Sequence, residues 1–206
     1  MSHPQFFVSG TDTDVGKTLV SGILTHGLKA FYWKPVQAGV EPTTDSKTLA
    51  EYVDPKRVLP ERWVLQHPRS PNQAAERDGV ELNMSDFKCP EVDGPLIVEG
   101  AGGLYVPLND KDTMLELIQH LALPVILATR TGLGTLNHTL LSIEALKRRN
   151  IPIAGVIFNG DEHEDNQRDI AHFGQVPIIG RVPRLATVDP TQFDQIYATF
   201  DQSLLK

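Results

Sequence analysis

Apolar residues recur along the chain in two periods, and the alternation of the two predicts its architecture. Short runs that are apolar almost throughout occur near Gln5–Val8, Phe31–Lys34, Pro95–Glu99, Pro124–Ala128, Ile153–Phe158 and Val176–Gly180. Such runs mark strands buried on both faces. Apolar positions spaced by three and four mark helices near Gly16–Lys29, Thr113–Leu121, Leu136–Arg149, Asp165–Phe173 and Thr191–Leu204. The alternation predicts an α/β fold, a largely parallel sheet flanked by helices on both faces, whose ligands gather at the carboxyl ends of the strands. A shorter helical stretch, Ser46–Tyr52, follows the polar turn Glu41–Ser46. From Val53 to Pro95 there are five prolines before Asp93 and no sustained period, which predicts short helices and loops anchored by Trp63 and Phe87. The closing stripe Phe193, Ile196, Tyr197, Phe200 and Leu204 reads as core or subunit contact.

Composition narrows this picture without changing it. With 206 residues, 40% hydrophobic and 22% charged, the chain suits one α/β domain spanning 1–206. No apolar run approaches the roughly 20 residues that span a bilayer. The opening Met1-Ser2-His3-Pro4 lacks the layout of a signal peptide, so a cytoplasmic protein with no membrane partner is expected. One cysteine, Cys89, excludes an intrachain disulfide framework. A net charge of −7 argues against sequence-independent nucleic-acid binding.

The chemistry concentrates after the predicted strands. Gly10-Thr11-Asp12-Thr13-Asp14-Val15-Gly16-Lys17-Thr18 joins the first strand to the first helix and reads as a nucleotide phosphate loop. Glycines let backbone N–H groups close around phosphate, Lys17 reaches the β- and γ-phosphates, and the Thr18 hydroxyl suits Mg²⁺. The spacing departs from the general motif: five residues, not four, separate Gly10 from Gly16, and Thr11 stands where a first glycine is usual. An ordinary strand-to-helix turn is the alternative.

Other candidates carry two readings each. Lys34, held in a turn by Pro35 and Gly39, either faces the phosphate loop or is a solvated surface lysine. Asp45 is a helix cap or first-turn residue taken alone. Glu99 ends the third strand before Gly100-Ala101-Gly102-Gly103, where a carboxylate either holds Mg²⁺ beside Thr18 or caps a turn. Gly132-Leu133-Gly134-Thr135-Leu136-Asn137 opens a helix whose free N–H groups suit a carboxylate, although Thr135 or Asn137 as a plain cap explains the pattern nearly as well. His138 reads as a packed or solvent-facing helical residue. Asn159-Gly160 is a turn signal whose amide also suits adenine, and Pro183-Arg184-Leu185 is a candidate base-flanking loop.

Together these segments resemble the dethiobiotin synthetase family, from Phe7 to about Leu185. The five-residue spacing of the phosphate loop is similar to that family's variant motif. Lys34-Pro35-Val36, Glu99-Gly100-Ala101-Gly102-Gly103 and Leu133-Gly134-Thr135-Leu136-Asn137-His138 resemble further motifs in the family's order. The resemblance implies a three-layer, P-loop NTPase-like architecture and a ligase of biotin biosynthesis. Such an enzyme takes 7,8-diaminononanoate, CO₂ and ATP to dethiobiotin through a carbamate and a carbamic-phosphoric anhydride. It implies catalytic roles for Lys34, Lys17 and Thr13, and Mg²⁺ held by Thr18, Asp45 and Glu99. ATP would meet Asp14, Val15, Gly16, Lys17, Thr18, Leu19, Glu99, Gly100, Ala101, Gly102, Asn159, Gly160, Pro183, Arg184 and Leu185. Substrate would meet Lys34, Ala38, Gly134, Thr135, Leu136 and Asn137, the last four contributed across a homodimer interface. Where the family commonly has Ser or Thr, this chain has Ala38, a lost polar contact that costs about 0.5–1.5 kcal/mol. The rival readings are a related amidoligase, an inactive nucleotide-binding module, and a partitioning-type nucleotide-switch ATPase. The loop of that last class usually carries an extra lysine near its start, where Thr11 and Asp12 stand here.

Overall fold

A computed structural model describes residues 3–206, so Met1 and Ser2 of the opening segment lie outside the described residues. In chain order the elements are β1 (Gln5–Gly10), α1 (Lys17–Gly27), β2 (Phe31–Trp33), β3 (Val36–Ala38), α2 (Asp45–Ala50), β4 (Trp63–Leu65), α3 (Pro71–Asp78) and β5 (Leu96–Gly103). They continue with α4 (Met114–Leu121), β6 (Val125–Arg130), α5 (Thr135–Arg148), β7 (Ile153–Asn159), α6 (Glu164–Gly174), β8 (Ile178–Val182) and α7 (Pro190–Ala198). The main sheet has six strands in the order β2-β5-β1-β6-β7-β8. Every pairing in it is parallel. All six strands expected from the apolar runs are present.

Strand alternation divides the core into layers. On one face Phe6, Val8, Ile97, Ile126 and Ile157 pack under α1 and α7 with Val20, Ile23, Leu24, Phe193 and Ile196. On the other, Phe7, Leu96, Val98 and Val125 meet Leu115, Ile118 and Leu121 of α4. Leu127, Val156 and Phe158 meet Ile143 and Ile170 from α5 and α6. Helix α1 carries Gly22 in its interior, at a propensity cost of about 1 kcal/mol. Burying Val20, Ile23 and Leu24 contributes roughly 1.5–3 kcal/mol each and outweighs it. The missing side chain also lets α7 approach, since a Cβ on Gly22 would lie 3.0 Å from the Phe193 ring.

Two regions differ from the pattern-based expectation. The last helix does not run to Leu204: α7 ends at Ala198 and a 3-10 turn, Gln202–Leu205, follows. The break lets the Asp201 N–H donate to the Ile179 carbonyl at 2.7 Å and seats Phe200 against Gly180 at the sheet. Phe193, Ile196 and Phe200 are thereby core residues. The segment after Val53 holds, besides α3 and short turns, the strand β4, which pairs with β3 in a separate two-stranded parallel sheet. Three-residue strands carry too few positions for a period to show. Phe87 anchors this segment wholly buried, while Trp63 packs half-buried on the same cluster. Leu104–Leu108 turns rather than extends, and Thr113 caps α4 by accepting from the Leu115 N–H. Among the described residues no helix is long and apolar enough to cross a membrane.

Phe193 is 2% exposed and packs from α7 against α1 at Gly22 and His26 and against Tyr52. Phe193→Ala is expected to cost about 3–5 kcal/mol in urea unfolding. A loss below about 1 kcal/mol would show that α7 is not pinned through this ring.

Candidate active site

The site forms where the central strands end. Backbone from β1 enters the loop Thr11–Gly16, and Gly16, at φ 91°, occupies the N-cap of α1. Any side chain there would need a left-handed backbone and would collide with the Asn159 amide. That amide donates to the Val15 carbonyl at 3.0 Å and ties the loop to the end of β7. Val15 is buried, and Leu19 packs half-buried on the α1 side of the core. Lys17 turns back over the loop and donates to the Asp12 carbonyl at 3.0 Å.

A cleft of about 680 Å³ opens beside the loop. Thr13, Asp14, Gly16, Lys17, Thr18, Lys34, Ala38, Asp45, Glu99, Ala101 and Gly102 all line it. Its far lip is Pro68, Arg69, Ser70 and Pro71. Lys34 is no surface lysine: it is 3% exposed, and its ammonium donates to Glu99 Oε1 at 2.9 Å and pairs with Asp45 Oδ2 at 2.6 Å. Glu99 Oε1 also accepts from the Thr18 hydroxyl at 2.9 Å, and Oε2 accepts from the Tyr32 hydroxyl at 2.9 Å. Asp45 is the first residue of α2 behind the Thr44 cap, whose hydroxyl accepts from the Lys47 N–H at 3.3 Å. Its own N–H donates to the Gln37 amide oxygen at 3.2 Å.

Electrostatics separates the two lysines. Burial pulls Lys17 below its ordinary 10.5, with Glu99 opposing and the like charge of Lys34 adding to the fall. Burial would also lower Lys34, but Glu99 and Asp45 together outweigh it and the ammonium is raised. Lys34 therefore stays cationic through the neutral range. Burial first, then the Glu99 charge, raises Tyr32 well above 10.0, so its phenol remains a donor. Two carboxylates and a hydroxyl, all oxygen, converge near the phosphate loop. That donor set suits Mg²⁺, which binds through one or two carboxylates and completes its shell with water and substrate phosphates. Among the described residues no cluster of three or more His, Cys, Asp or Glu side chains offers a denser cage.

The remaining expected residues lie outside this cleft. Gly134, at φ 92°, takes the N-cap of α5 with no side-chain cap, so neither Thr135 nor Asn137 caps the helix. Thr135 instead donates to the Arg130 carbonyl at 2.6 Å and joins the buried hydroxyls of Thr129 and Thr139. Gly134 and Thr135 line a small hollow with Thr11 and Asp12, while Asn137 faces a groove of about 570 Å³ with His138, Leu141 and Tyr105. Leu136 packs half-buried toward the α5–α6 side of the core. Val106 borders both this groove and the Lys34 cleft. Gly100 follows Glu99 within β5 and gives room to Phe7. Gly160 and Pro183-Arg184-Leu185 sit together past the ends of β7 and β8, where the Gly160 N–H donates to the Val182 carbonyl at 2.9 Å and Arg184 pairs with Asp161.

Sequence reading passed over Tyr32, Gln37 and the lip at 68–71. The strand parity that places Tyr32 on the same side as Lys34 was available in the sequence. Gln37 and the lip offered no local signal.

The parallel sheet, the loop between β1 and α1 and the buried lysines define a P-loop nucleotide-binding α/β protein. A plasmid partition protein of Borrelia burgdorferi, solved with AMPPNP, shares the fold at TM-score 0.54 and 10% identity over 97% of this chain and 98% of that one. A septum site-determining protein of Pyrococcus horikoshii does so at TM-score 0.53 and 16% identity, over 95% and 86%. The family model described as AAA domain matches residues 4–192. An ATP-dependent dethiobiotin synthetase of Brucella anthropi is 47% identical over 93% of this chain and 92% of its own length. One from Rhodopseudomonas palustris is 48% identical over 97% and 95%. The chain belongs to the dethiobiotin synthetase family.

The lip of the cleft hangs on Asp78, which accepts from the Gln66 N–H and pairs with His67, each at 2.7 Å. The Gln66 bond, followed by His67, holds the carboxyl below its ordinary 3.8. A lowered carboxylate stabilises fully above 3.8 and loses its contribution as pH falls through the lowered value. Asp78→Asn is therefore expected to lower the melting temperature at pH 7, with the difference from the parent shrinking as the acid is titrated well below pH 3.8. A difference independent of pH would remove Asp78 as the anchor.

Proposed function

We propose that the protein is an ATP-dependent ligase that closes the ureido ring of dethiobiotin from 7,8-diaminononanoate and CO₂. The observation that carries this reading is the convergence of Lys17, Lys34, Thr18, Asp45 and Glu99 on one cleft beside the phosphate loop. Phosphoryl transfer asks a protein for positioning and charge neutralisation more than for covalent help. This is what paired ammonium and carboxylate groups provide.

One amine of the substrate adds to CO₂ and loses a proton, giving a carbamate. A carbamate oxygen then attacks the γ-phosphorus as the bond to the β-phosphate oxygen breaks and ADP leaves. The second amine attacks the carbonyl carbon of the resulting anhydride, phosphate departs, and the ring closes. Lys17 and Lys34 hold the transferring group and the carbamate against each other. Thr13, on the open side of the loop, meets the reacting amines, and Thr18, Asp45 and Glu99 hold Mg²⁺. The cation would draw charge from the β- and γ-phosphates during transfer. Adenine lies past the loop, between Asn159-Gly160 and Pro183-Arg184-Leu185. Asn159, one N–H committed to Val15, keeps its carbonyl oxygen for the base.

Residues 134–137 act on the substrate carboxylate from a second copy of the chain. Their separation from the Lys34 cleft supports this, as does the exposed apolar surface of Leu133, Tyr105 and Leu141 beside them. The partitioning-type reading is disfavoured, because likeness to those proteins extends to fold alone.

Incubating the protein with MgATP, bicarbonate and diaminononanoate is expected to yield dethiobiotin by mass spectrometry. ATP hydrolysis without a ureido product would overturn the reading. Lys34→Gln is expected to lower turnover about 100-fold or more, with a much smaller change in ATP affinity. Mixing this variant with Asn137→Ala should recover activity that neither has alone, because one cleft of each mixed dimer is then intact. Failure of the mixture in a sample that sediments as a dimer would exclude a shared site.

A further inference from the structure

Tyr32 is wholly buried, and among the described residues its hydroxyl has a single hydrogen-bond partner, Glu99 Oε2 at 2.9 Å. Strand register explains the meeting. Tyr32 stands opposite Ile97 across the parallel β2–β5 pair. Glu99, two residues further along β5, shares the face of Ile97. The two are diagonal neighbours, a separation that an aromatic ring and a glutamate bridge. Lys34, two residues beyond Tyr32, lies on the same side and reaches Oε1. The end of β2 thus delivers one donor to each oxygen of the carboxylate. Its outer edge is held in turn, because the Leu59 N–H donates to the Tyr32 carbonyl at 2.8 Å.

The apolar cluster around the ring, with Val8, Ile97 and Leu24, asks only for an aromatic of this size. Phenylalanine would fill the same volume. The hydroxyl serves Glu99 alone. A neutral phenol is also suited to the task, since it orients a carboxylate without adding the second positive charge of a lysine or arginine.

We propose that Tyr32 is a positioning residue of the active site: its hydroxyl fixes the rotation of the Glu99 carboxylate so that Oε1 faces Thr18, Lys34 and the cation bound with ATP. This rests on the reading of Glu99 as a cation-holding residue given above. Without the hydroxyl, Oε2 has no buried partner and the carboxylate rotates to find one, at the expense of Oε1.

The test is Tyr32→Phe, read by the Mg²⁺ concentration needed for half-maximal binding of a fluorescent ATP analogue, beside binding of the same analogue in EDTA. The Mg²⁺ midpoint is expected to rise roughly tenfold, the loss of one hydrogen bond to a charged group, while binding in EDTA stays within about twofold. A lowered melting temperature with an unmoved Mg²⁺ midpoint would reduce Tyr32 to a structural role and overturn the proposal. Should the Phe variant not fold, Tyr32→Met, smaller but flexible enough to fill an apolar site and lacking the hydroxyl, is judged by the same two outcomes. A raised midpoint in a protein whose parent forms no dethiobiotin would uphold the role of Tyr32 and overturn the assigned reaction instead.

Discussion

Glu99 accepts three hydrogen bonds from groups that reach it along separate routes: Thr18 at the start of α1, Tyr32 within β2 and Lys34 just beyond it. A carboxylate 1% exposed would be costly, at several kcal/mol, if any of its oxygens were left without a partner. The charge is tolerable because it is fully bonded and faces Lys34, which Asp45 binds from its other side. The first turn of α1 and the end of β2 are held to one another through this carboxylate, and the start of α2 joins them through Lys34. The arrangement is thus structural and, on the proposed reading, chemical at once: Thr18 and Lys34, which help make the buried charge tolerable, also line the cleft beside the phosphate loop.

The parallel sheet determines where this happens. With β1 between β5 and β6, the loop leaving β1 lies between the Glu99 side of the molecule and the α5 side. The nucleotide loop therefore separates two hollows, one with Lys34 and one with Asn137, and Val106 lines both. The hydroxyls of Thr11, Thr129, Thr135 and Thr139 run beneath that boundary in a buried chain. It links the phosphate loop to the first turn of α5.

The cleft wall supplied by residues 37–71 has a different character. Gln37 bonds the Gly39 carbonyl and receives the Asp45 N–H, so the small β3–β4 sheet carries α2 and its carboxylate into place. Ala38 lies on the same wall and presents only a methyl group, and Arg69 stands exposed on the facing lip. This wall is packed on the core through Leu49, Leu65 and Trp63, and the hydrogen bonds of Gln37 and Asp78 hold its rim.

The main strands, the major helices and the phosphate loop were readable from the chain alone. Their signals are local: a run of apolar residues, a period of three to four, or glycines and a lysine at a fixed spacing. Residues 10–18 suggested a phosphate through their glycines and Lys17 taken with the apolar strand before them and the helical period after them. What tertiary structure decided is which distant residues share that loop. Lys34 and Glu99 are separated by 65 positions and Thr18 and Glu99 by 81, and only the pairing of β2 and β1 with β5 brings them together. Asp45, a plain first-turn residue by sequence, acquired its place through Gln37. The end of α7, extended too far by its apolar stripe, was set by a backbone bond to β8 and by Phe200 on Gly180. Periodicity records which side of an element is buried, whereas sheet register and hydrogen-bond satisfaction determine what that side meets.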